Sequence, residues 1–212
     1  MEKNRKCLIS AGPTREWIDP VRFISNPSSG KMGYSLARQA RDRNFEVQLI
    51  SGPVSLDAPS GISIEKVETA EEMRLAMHTN FPSADLIIMC AAVCDHRPQV
   101  RRLEKIKKDV FPNEIDLVQT TDILMELGKI KKDSQILVGF AAETENWEQN
   151  AIIKMKEKNL DWIALNDVSQ KNIGFGSDQN EITMFSSSQK KVKLDRASKE
   201  ILAKKMLELI TE

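Results

Sequence analysis

Between Asp19 and Gly33 the chain reads DPVRFISNPSSGKMG, which sets small residues, one amide and a lysine just ahead of a helix-like segment, YSLARQARDRN. Ser28, Ser29, Gly30 and Gly33 carry little side-chain bulk, so backbone N–H groups can approach an anion. The positive end of the following helix adds to the attraction. The chemistry this permits is the binding of a phosphorylated ligand. The Asn-Pro-Ser-Ser-Gly run is equally an ordinary turn and helix cap, so the loop alone leaves both readings open. The other candidates are cations: Lys105, Lys107 and Lys108 in EKIKKD, and Lys154 and Lys158, four apart on one helix face. Converging ammonium groups neutralise a triphosphate and the charge that develops in phosphoryl-type displacement. Singly, each is also what a solvated surface lysine looks like.

Several chemistries are excluded by what is missing. No GxGxxG follows the first apolar run, so a dinucleotide-dependent oxidoreductase lacks its main signature. A Walker loop fails around Gly30-Lys31, where Ser25 replaces the first glycine and Met32 stands where a hydroxyl would reach magnesium. Neither GxSxG nor HExxH occurs. The two histidines, His78 and His96, are too few for a mechanism built on several imidazoles. Cys90, Cys94 and His96 match no closed zinc pattern, and with Cys7 the three cysteines read as free thiols in a reducing compartment. Thirty-one basic residues balance 31 acidic ones, against a nucleic-acid binder. The longest apolar run, Leu86 to Cys94, is too short to span a bilayer, and the N-terminus shows no secretion-type segment. A cytoplasmic protein with no membrane or nucleic-acid partner is expected.

To bring these residues together the chain needs a scaffold, and its pattern supplies one. Short apolar runs (CLISAG, EVQLISG, ISIEKVE, ADLIIMCAAV, IDLVQ, ILVGFAAE, LDWIALND) alternate with helical segments at Lys31 to Asn44, Ala70 to Asn80, Asp122 to Ile130 and Trp147 to Asn159. Runs apolar throughout suit a parallel sheet covered on both faces. EITMFSS and KKVKLD then read as an antiparallel hairpin, followed by a closing helix over Ala197 to Ile210. The expected fold is α/β: a three-layer, Rossmann-like, mostly parallel sheet with a C-terminal antiparallel hairpin and closing helix, in one domain over residues 1–212. The polar segment 95–114 is expected to be a flexible or partner-facing excursion. Ligands of such sheets gather at the carboxyl ends of the strands. Here those ends, AGPTR, SGP, AAVCDHRP, GFAAET and NDVSQ, pair small residues with polar ones, as a nucleotide site would.

Taken in order and spacing, SAGPTREWIDPVRFISNPSSGKMG, AAVCDHRP with EKIKK downstream, VGFAAET, and NLDWIALNDVSQ with IGFGSDQNEI resemble the phosphopantothenate–cysteine ligase family in its bacterial, CTP-dependent form, over essentially the whole chain. The resemblance implies a two-step ligation. The carboxylate of 4′-phosphopantothenate attacks the α-phosphorus of CTP, with magnesium present, and the amine of L-cysteine then displaces CMP from the acyl-cytidylate. By the family pattern Gly12, Ser28, Gly30 and Gly33 line the nucleotide phosphates, Phe140 and Asn166 hold the nucleoside, and Lys105 sits against the triphosphate. Asp95, Lys154 and Lys158 match CTP-contacting positions, as does the loop Asp122 to Leu124. Asn26, with Arg22 beside it, matches the amide that handles the acyl-cytidylate, and Ala91 and Ala92 match the backbone that receives phosphopantothenate. A homodimer is implied, and a separate flavin-dependent decarboxylase is a candidate partner, since many bacteria fuse the two while this chain begins at the ligase. The metal ligands are left open. Trp17, Pro27 and Cys94 depart from the family pattern. The competing expectations are a non-catalytic nucleotide-binding subunit and, disfavoured by its missing fingerprint, a Rossmann oxidoreductase.

Overall fold

A computed structural model describes residues 5–143, 147–167 and 177–212 of the chain. In chain order its elements are β1 (Lys6–Ala11), β2 (Arg15–Trp17), β3 (Phe23–Ser25), α1 (Lys31–Asp42), β4 (Glu46–Ser51), β5 (Ser63–Lys66), α2 (Ala70–Asn80), β6 (Leu86–Met89), β7 (His96–Pro98) and β8 (Leu117–Gln119). There follow α3 (Ile123–Ile130), β9 (Ile136–Glu143), α4 (Trp147–Glu157), β10 (Trp162–Asp167), β11 (Gln179–Ser186), β12 (Lys191–Ser198) and α5 (Lys199–Thr211). Thr144, Val168–Gln170 and Ile173–Gly176, parts of the motifs quoted above, lie outside the described residues.

Eight strands form one sheet in the order β12-β11-β10-β9-β6-β1-β4-β5. From β5 to β10 every neighbouring pair is parallel, and β11 and β12 add the antiparallel hairpin. Counting only the parallel strands, the order is that of a doubly wound sheet. The chain begins in the middle, runs outward through β4 and β5, then returns through α2 to β6 on the other side of β1. The carboxyl ends of β1 and β6 therefore part around a crevice, the place where such sheets bind ligands.

Side-chain alternation along the strands builds two cores. Cys7, Ile9, Ile88, Val138 and Ala164 pack under α1 and α5 on one face. Leu8, Ile87, Leu137, Ile163 and Leu165 pack under α2, α3 and α4 on the other. The central strands β1 and β6 bury both faces, which is why their residues read as apolar runs rather than as alternating ones. Helices α1 and α5 lie side by side with the same polarity, tied by Arg38 to Glu200 and by Arg43 to Glu208.

Two features depart from the sequence reading. IDLVQ, expected in the βαβ alternation, contributes β8, which pairs with β7 in a separate two-stranded ribbon outside the main sheet. Its mixed exposure explains this: Leu117 and Gln119 face solvent, so the run lacks the two-sided burial a central strand needs. The segment TREWIDPVRFIS, not anticipated as structure, folds into the β2–β3 hairpin.

Helix α1 starts abruptly at Gly30, whose φ of 75° lies in the left-handed region open to glycine. Three residues on, Gly33 rests directly on β1: a Cβ there would come 2.5 Å from the Ala11 Cβ and 3.1 Å from the Ala11 Cα. Neither neighbour has a rotamer with which to yield. Gly33→Ala is accordingly expected to lower stability by about 1–2 kcal/mol, the cost of overpacking exceeding the roughly 1 kcal/mol gained in helix propensity. Urea midpoints measure this, and adding Ala11→Gly should recover much of the loss. A Gly33→Ala protein as stable as the parent would show that α1 does not depend on this approach.

Candidate active site

A cavity of about 630 Å³ opens at the crevice, walled by the loop and first turn of α1 (Asn26 to Gly33), the segment after β6 (Met89 to Val93), the β8–α3 corner and the ends of β9 and β10. The size is that of a small-molecule site. Of the residues singled out from sequence, Asn26, Ser28, Gly30, Gly33, Ala91, Ala92, Asp95, Phe140, Lys158 and Asn166 line it, with Asp122, Ile123 and Leu124. Among the described residues Gly12, Arg22, Lys105 and Lys154 are not part of that wall.

The loop is pinned by Asn26. Its Nδ2 donates to the carbonyls of Ala92 at 3.2 Å and Val93 at 3.0 Å, bridging the approach to α1 and the end of β6. Ser28 turns the chain behind it, its N–H donating to Asn26 O and its hydroxyl accepting from Gly30 N–H. Thr69, Asp122 and Ser198 cap α2, α3 and α5 with their side chains, whereas no side chain among the described residues caps α1. The positive end of α1 therefore faces the cavity undamped. Gly12 does its work underneath, as a spacer: a Cβ on Gly30 would come 3.4 Å from the Gly12 Cα.

Across the crevice, the Cys90 and Ala91 N–H groups donate to Ser10 Oγ, and the Ala92 N–H donates to Gly12 O. The N–H groups of both alanines are thus already engaged. A ligand beside them meets methyl groups and carbonyl oxygens. Lys158 Nζ pairs with Asp122 Oδ2 at 2.7 Å, while Asp122 Oδ1 caps α3. Asn166 presents a buried Oδ1 that has no hydrogen-bond donor among the described residues. An N–H on a ligand would satisfy it.

Arg22 and Lys105 belong to a separate structure beside the cavity. Asp19, fully buried, accepts from the N–H groups of Val21 and Arg22, from Arg22 Nη1 at 2.7 Å and from the Ile106 N–H at 3.2 Å. The Arg22 guanidinium also lies over the Phe111 ring, 4.3 Å from its centre. One carboxylate thus ties the β2–β3 hairpin to the 95–114 segment, next to the exposed Lys105.

The thiols carry no nucleophile. Burial pushes Cys90 up to about 12 despite the nearby Lys199 charge, and pushes Cys94 up as well. All three cysteines are free, and Cys94 is buried, so its departure from the family pattern leaves it shielded.

Sequence reasoning missed Lys199 and Asn180, both buried and both on the wall. Lys199 is the first residue of α5, and burial holds its ammonium below the ordinary lysine range, with Cys90, Lys31 and Asp178 as its charged or ionisable neighbours. A lysine opening an amphipathic C-terminal helix carries no signal in one dimension. Only the parallel seating of α5 beside α1 brings it to the crevice.

The family model of the DNA/pantothenate metabolism flavoprotein C-terminal domain matches residues 2–212. The chain is 48% identical over 184 residues to the coenzyme A biosynthesis bifunctional protein CoaBC of Bacillus subtilis, covering 86% of this chain and 45% of that one. It is 43% identical over 211 residues to CoaBC of Escherichia coli K12, covering 98% and 52%. The chain thus spans about half the length of the curated relatives it matches. The crystal structure of the C-terminal domain of a CoaBC superposes with a TM-score of 0.83 at 39% identity, covering 98% of this chain and 94% of that one. A Cab2 variant solved in complex with phosphopantothenate-cysteine shares the fold, with a TM-score of 0.77 at 16% identity over 99% of this chain and 87% of that one.

Burial alone would raise the Asp19 carboxyl, but the N–H groups of Val21, Ile106 and Arg22, with the Arg22 guanidinium, outweigh it and hold the group below the ordinary aspartate value. An acid lowered by folding contributes its full stabilisation above its unfolded value, about pH 3.9, and loses it as pH falls through the folded one. Asp19→Asn is therefore expected to be less stable than the parent at pH 7, with the gap narrowing steadily below about pH 4. Urea unfolding at several pH values reads this directly. A gap of constant size across that range would mean that the Asp19 charge plays no part.

Proposed function

Because the chain belongs to the family of the DNA/pantothenate metabolism flavoprotein C-terminal domain, we propose that it is a phosphopantothenate–cysteine ligase, joining 4′-phosphopantothenate to L-cysteine in coenzyme A biosynthesis at the expense of CTP. The observation that carries this reading is the seat of Asn26, bonded to Ala92 and Val93 across the crevice, directly before an α1 N-terminus that no side chain among the described residues caps. An acyl-phosphate group has somewhere to be held and a positive helix end to hold it. The similar CoaBC chains are named for coenzyme A biosynthesis, and the Cab2 complex contains the product such a ligase would make.

In the first step a carboxylate oxygen of 4′-phosphopantothenate bonds to the α-phosphorus of CTP, and the bond to the departing pyrophosphate breaks. In the second the cysteine amine attacks the acyl carbon, the C–O bond to CMP breaks, and the amine loses a proton. No protein nucleophile is required, which agrees with the suppressed thiols. Catalysis then consists of positioning and charge stabilisation. Ser28, Gly30 and the α1 turn through Gly33 would receive phosphate, with Gly12 keeping the loop low. Phe140 would pack on the nucleoside, and the Asn166 Oδ1 would accept from the cytosine amino group. Ala91 and Ala92 would border phosphopantothenate, and Arg22 would brace the arm that carries Asn26.

Lys158, on the wall, and Lys154, off it, would serve the nucleotide side. Lys105 stands off the wall, so its segment must swing inward to meet the triphosphate. Among the described residues no group of three or more His, Cys, Asp and Glu side chains is placed to hold a metal. Magnesium, which needs only one or two carboxylates when phosphates supply the rest, would enter with the nucleotide and meet Asp95. Bound there, it would neutralise phosphate charge.

The domain would work as a homodimer. Val21, Phe23, Val100, Leu103 and Leu117, on the β2–β3 hairpin, β8 and the 95–114 segment, are exposed apolar side chains that a second copy would cover. A flavin-dependent decarboxylase would consume the product. The free thiols fit a reducing cytoplasm, and among the described residues no helix is long and apolar enough to cross a membrane.

Mixing the chain with CTP, magnesium, 4′-phosphopantothenate and cysteine should release pyrophosphate, and omitting cysteine should accumulate the acyl-cytidylate. CTP binding without pyrophosphate release would instead mark a non-catalytic nucleotide-binding subunit, and ATP competing on equal terms would remove the CTP preference. Asn26→Asp, which cannot donate to the Ala92 and Val93 carbonyls, should bind CTP yet slow the second step by tenfold or more, about 1.4 kcal/mol. Lys105→Gln should slow the first step roughly 10²–10³-fold. Equal losses of both half-reactions in both variants would refute this division of labour.

A further inference from the structure

We propose that Asn180 is a nucleoside-binding residue of this cavity, its side-chain NH2 donating to a neutral oxygen of the nucleoside, a hydroxyl of the sugar or the carbonyl of the base. The proposal rests on the ligase reading above and adds a residue that neither the family pattern nor the sequence singled out. Asn180 is only 4% exposed, yet it forms part of the cavity wall. Its Oδ1 accepts from the Glu181 N–H at 3.0 Å, which fixes the orientation of the carboxamide, because only the oxygen end can accept. The Nδ2 end then carries two N–H groups with no acceptor among the described residues. A carboxamide buried this deeply ordinarily has its hydrogen bonds made, and the cavity is where the missing acceptor would lie.

A strand irregularity stands beside it. Between the pairs Asn180–Ala197 and Ile182–Leu194, β11 uses one residue, Glu181, and β12 uses two, Asp195 and Arg196. Such a bulge bends the ladder and redirects side chains, and bulges recur next to active sites. The same sheet face carries the residues assigned above to the nucleoside. Phe140 pairs with Ala164 across β9 and β10, and Asn166 pairs with Ile182 across β10 and β11. Ala164 and Ile182 belong to the core under α1 and α5, and Phe140 packs against that core. Side chains alternate along a strand, so Asn166, two residues from Ala164, and Asn180, two from Ile182, stand on that face as well. Phe140, Asn166 and Asn180 therefore climb across three adjacent strands, about 4.8 Å apart, toward the carboxyl edge of the sheet.

That row presents an aromatic ring, the buried Asn166 Oδ1 that lacks a donor among the described residues, and the Asn180 NH2 that lacks an acceptor. A nucleoside supplies all three complements: a ring face, an N–H and a neutral oxygen. A phosphate group supplies only the last kind of contact and offers Asn166 no donor.

The test is calorimetric titration of the full chain, as wild type, Asn180→Ala and Asn180→Asp, with CTP, CMP, pyrophosphate and 4′-phosphopantothenate, alongside melting of the ligand-free proteins. Asn180→Ala is expected to weaken CTP and CMP tenfold or more and to leave pyrophosphate within about threefold of wild type. Asn180→Asp keeps the oxygen that accepts from Glu181, so it should melt like the wild type and still lose CTP and CMP at least tenfold. Wild-type nucleotide affinity in Asn180→Asp would overturn the proposal in favour of a structural amide. Equal losses of pyrophosphate and CMP in Asn180→Ala, or a loss confined to 4′-phosphopantothenate, would also overturn it, by moving the contact to phosphate or to the other substrate. The 2′-deoxy and 3′-deoxy forms of CTP separate the two sources of oxygen: a sugar contact makes one of them insensitive to Asn180→Ala, and a base contact leaves both as sensitive as CTP.

A measurement on the wild type alone is independent of how the variants fold. The Asn180 side-chain NH2 protons should move downfield in NMR spectra when CMP is added and stay in place with pyrophosphate, and an unmoved signal with CMP would count against the assignment. Asn180-dependent CMP binding by a protein that releases no pyrophosphate from CTP would sink the ligase reading while leaving Asn180 in place. Full ligation with unaltered CMP affinity in both variants would do the reverse.

Discussion

The contact between Gly33 and Ala11 governs how the crevice is built. Without a Cβ at position 33, α1 drops onto β1 closely enough for its first turn to end at the carboxyl edge of the sheet, where the β1 and β6 ends part. Gly30, left-handed, then turns the chain sharply enough to bring Asn26 back over the strand ends. Once α1 is seated, α5 packs beside it, which puts Lys199 on the cavity wall. A larger residue at position 33 would lift the helix and widen every distance across the site.

Around this frame the two sides of the crevice are held differently. The segment after β6 is held by Ser10, Gly12, Thr14 and Asn26, all hydrogen-bonding its backbone, so the strand side of the cavity is a fixed surface. The 95–114 segment is different. It rests on the protein largely through Asp19, Arg22 and the small β7–β8 ribbon, and most of its side chains, Lys105 among them, face solvent.

Much of this was legible in one dimension. The apolar runs announced a sheet buried on both faces, the late hairpin and closing helix were readable from their periods, and the small-residue loop ahead of α1 stood out as a candidate anion site. IDLVQ misled because three residues of a surface ribbon have the same composition as a short buried strand. Gly33, which the family pattern assigns to the nucleotide phosphates, lies on the wall, but its closest constraint is packing against β1, which a list of small residues cannot distinguish from ligand contact. Lys105 and Arg22 were singled out by motif, and the Asp19 anchor that joins their segments was not, because its partner Ile106 N–H lies far away in sequence.

Taken by itself, the sequence determined the elements, their burial and the small residues at the strand ends, since these follow from local periodicity and side-chain volume. Tertiary structure alone decided which of those ends face one cavity, that α5 lies parallel to α1, and that Lys199 and Asn180 join a wall drawn from distant parts of the chain. The reason is geometric: strand order and helix seating bring together residues more than a hundred positions apart, and no local pattern encodes that proximity.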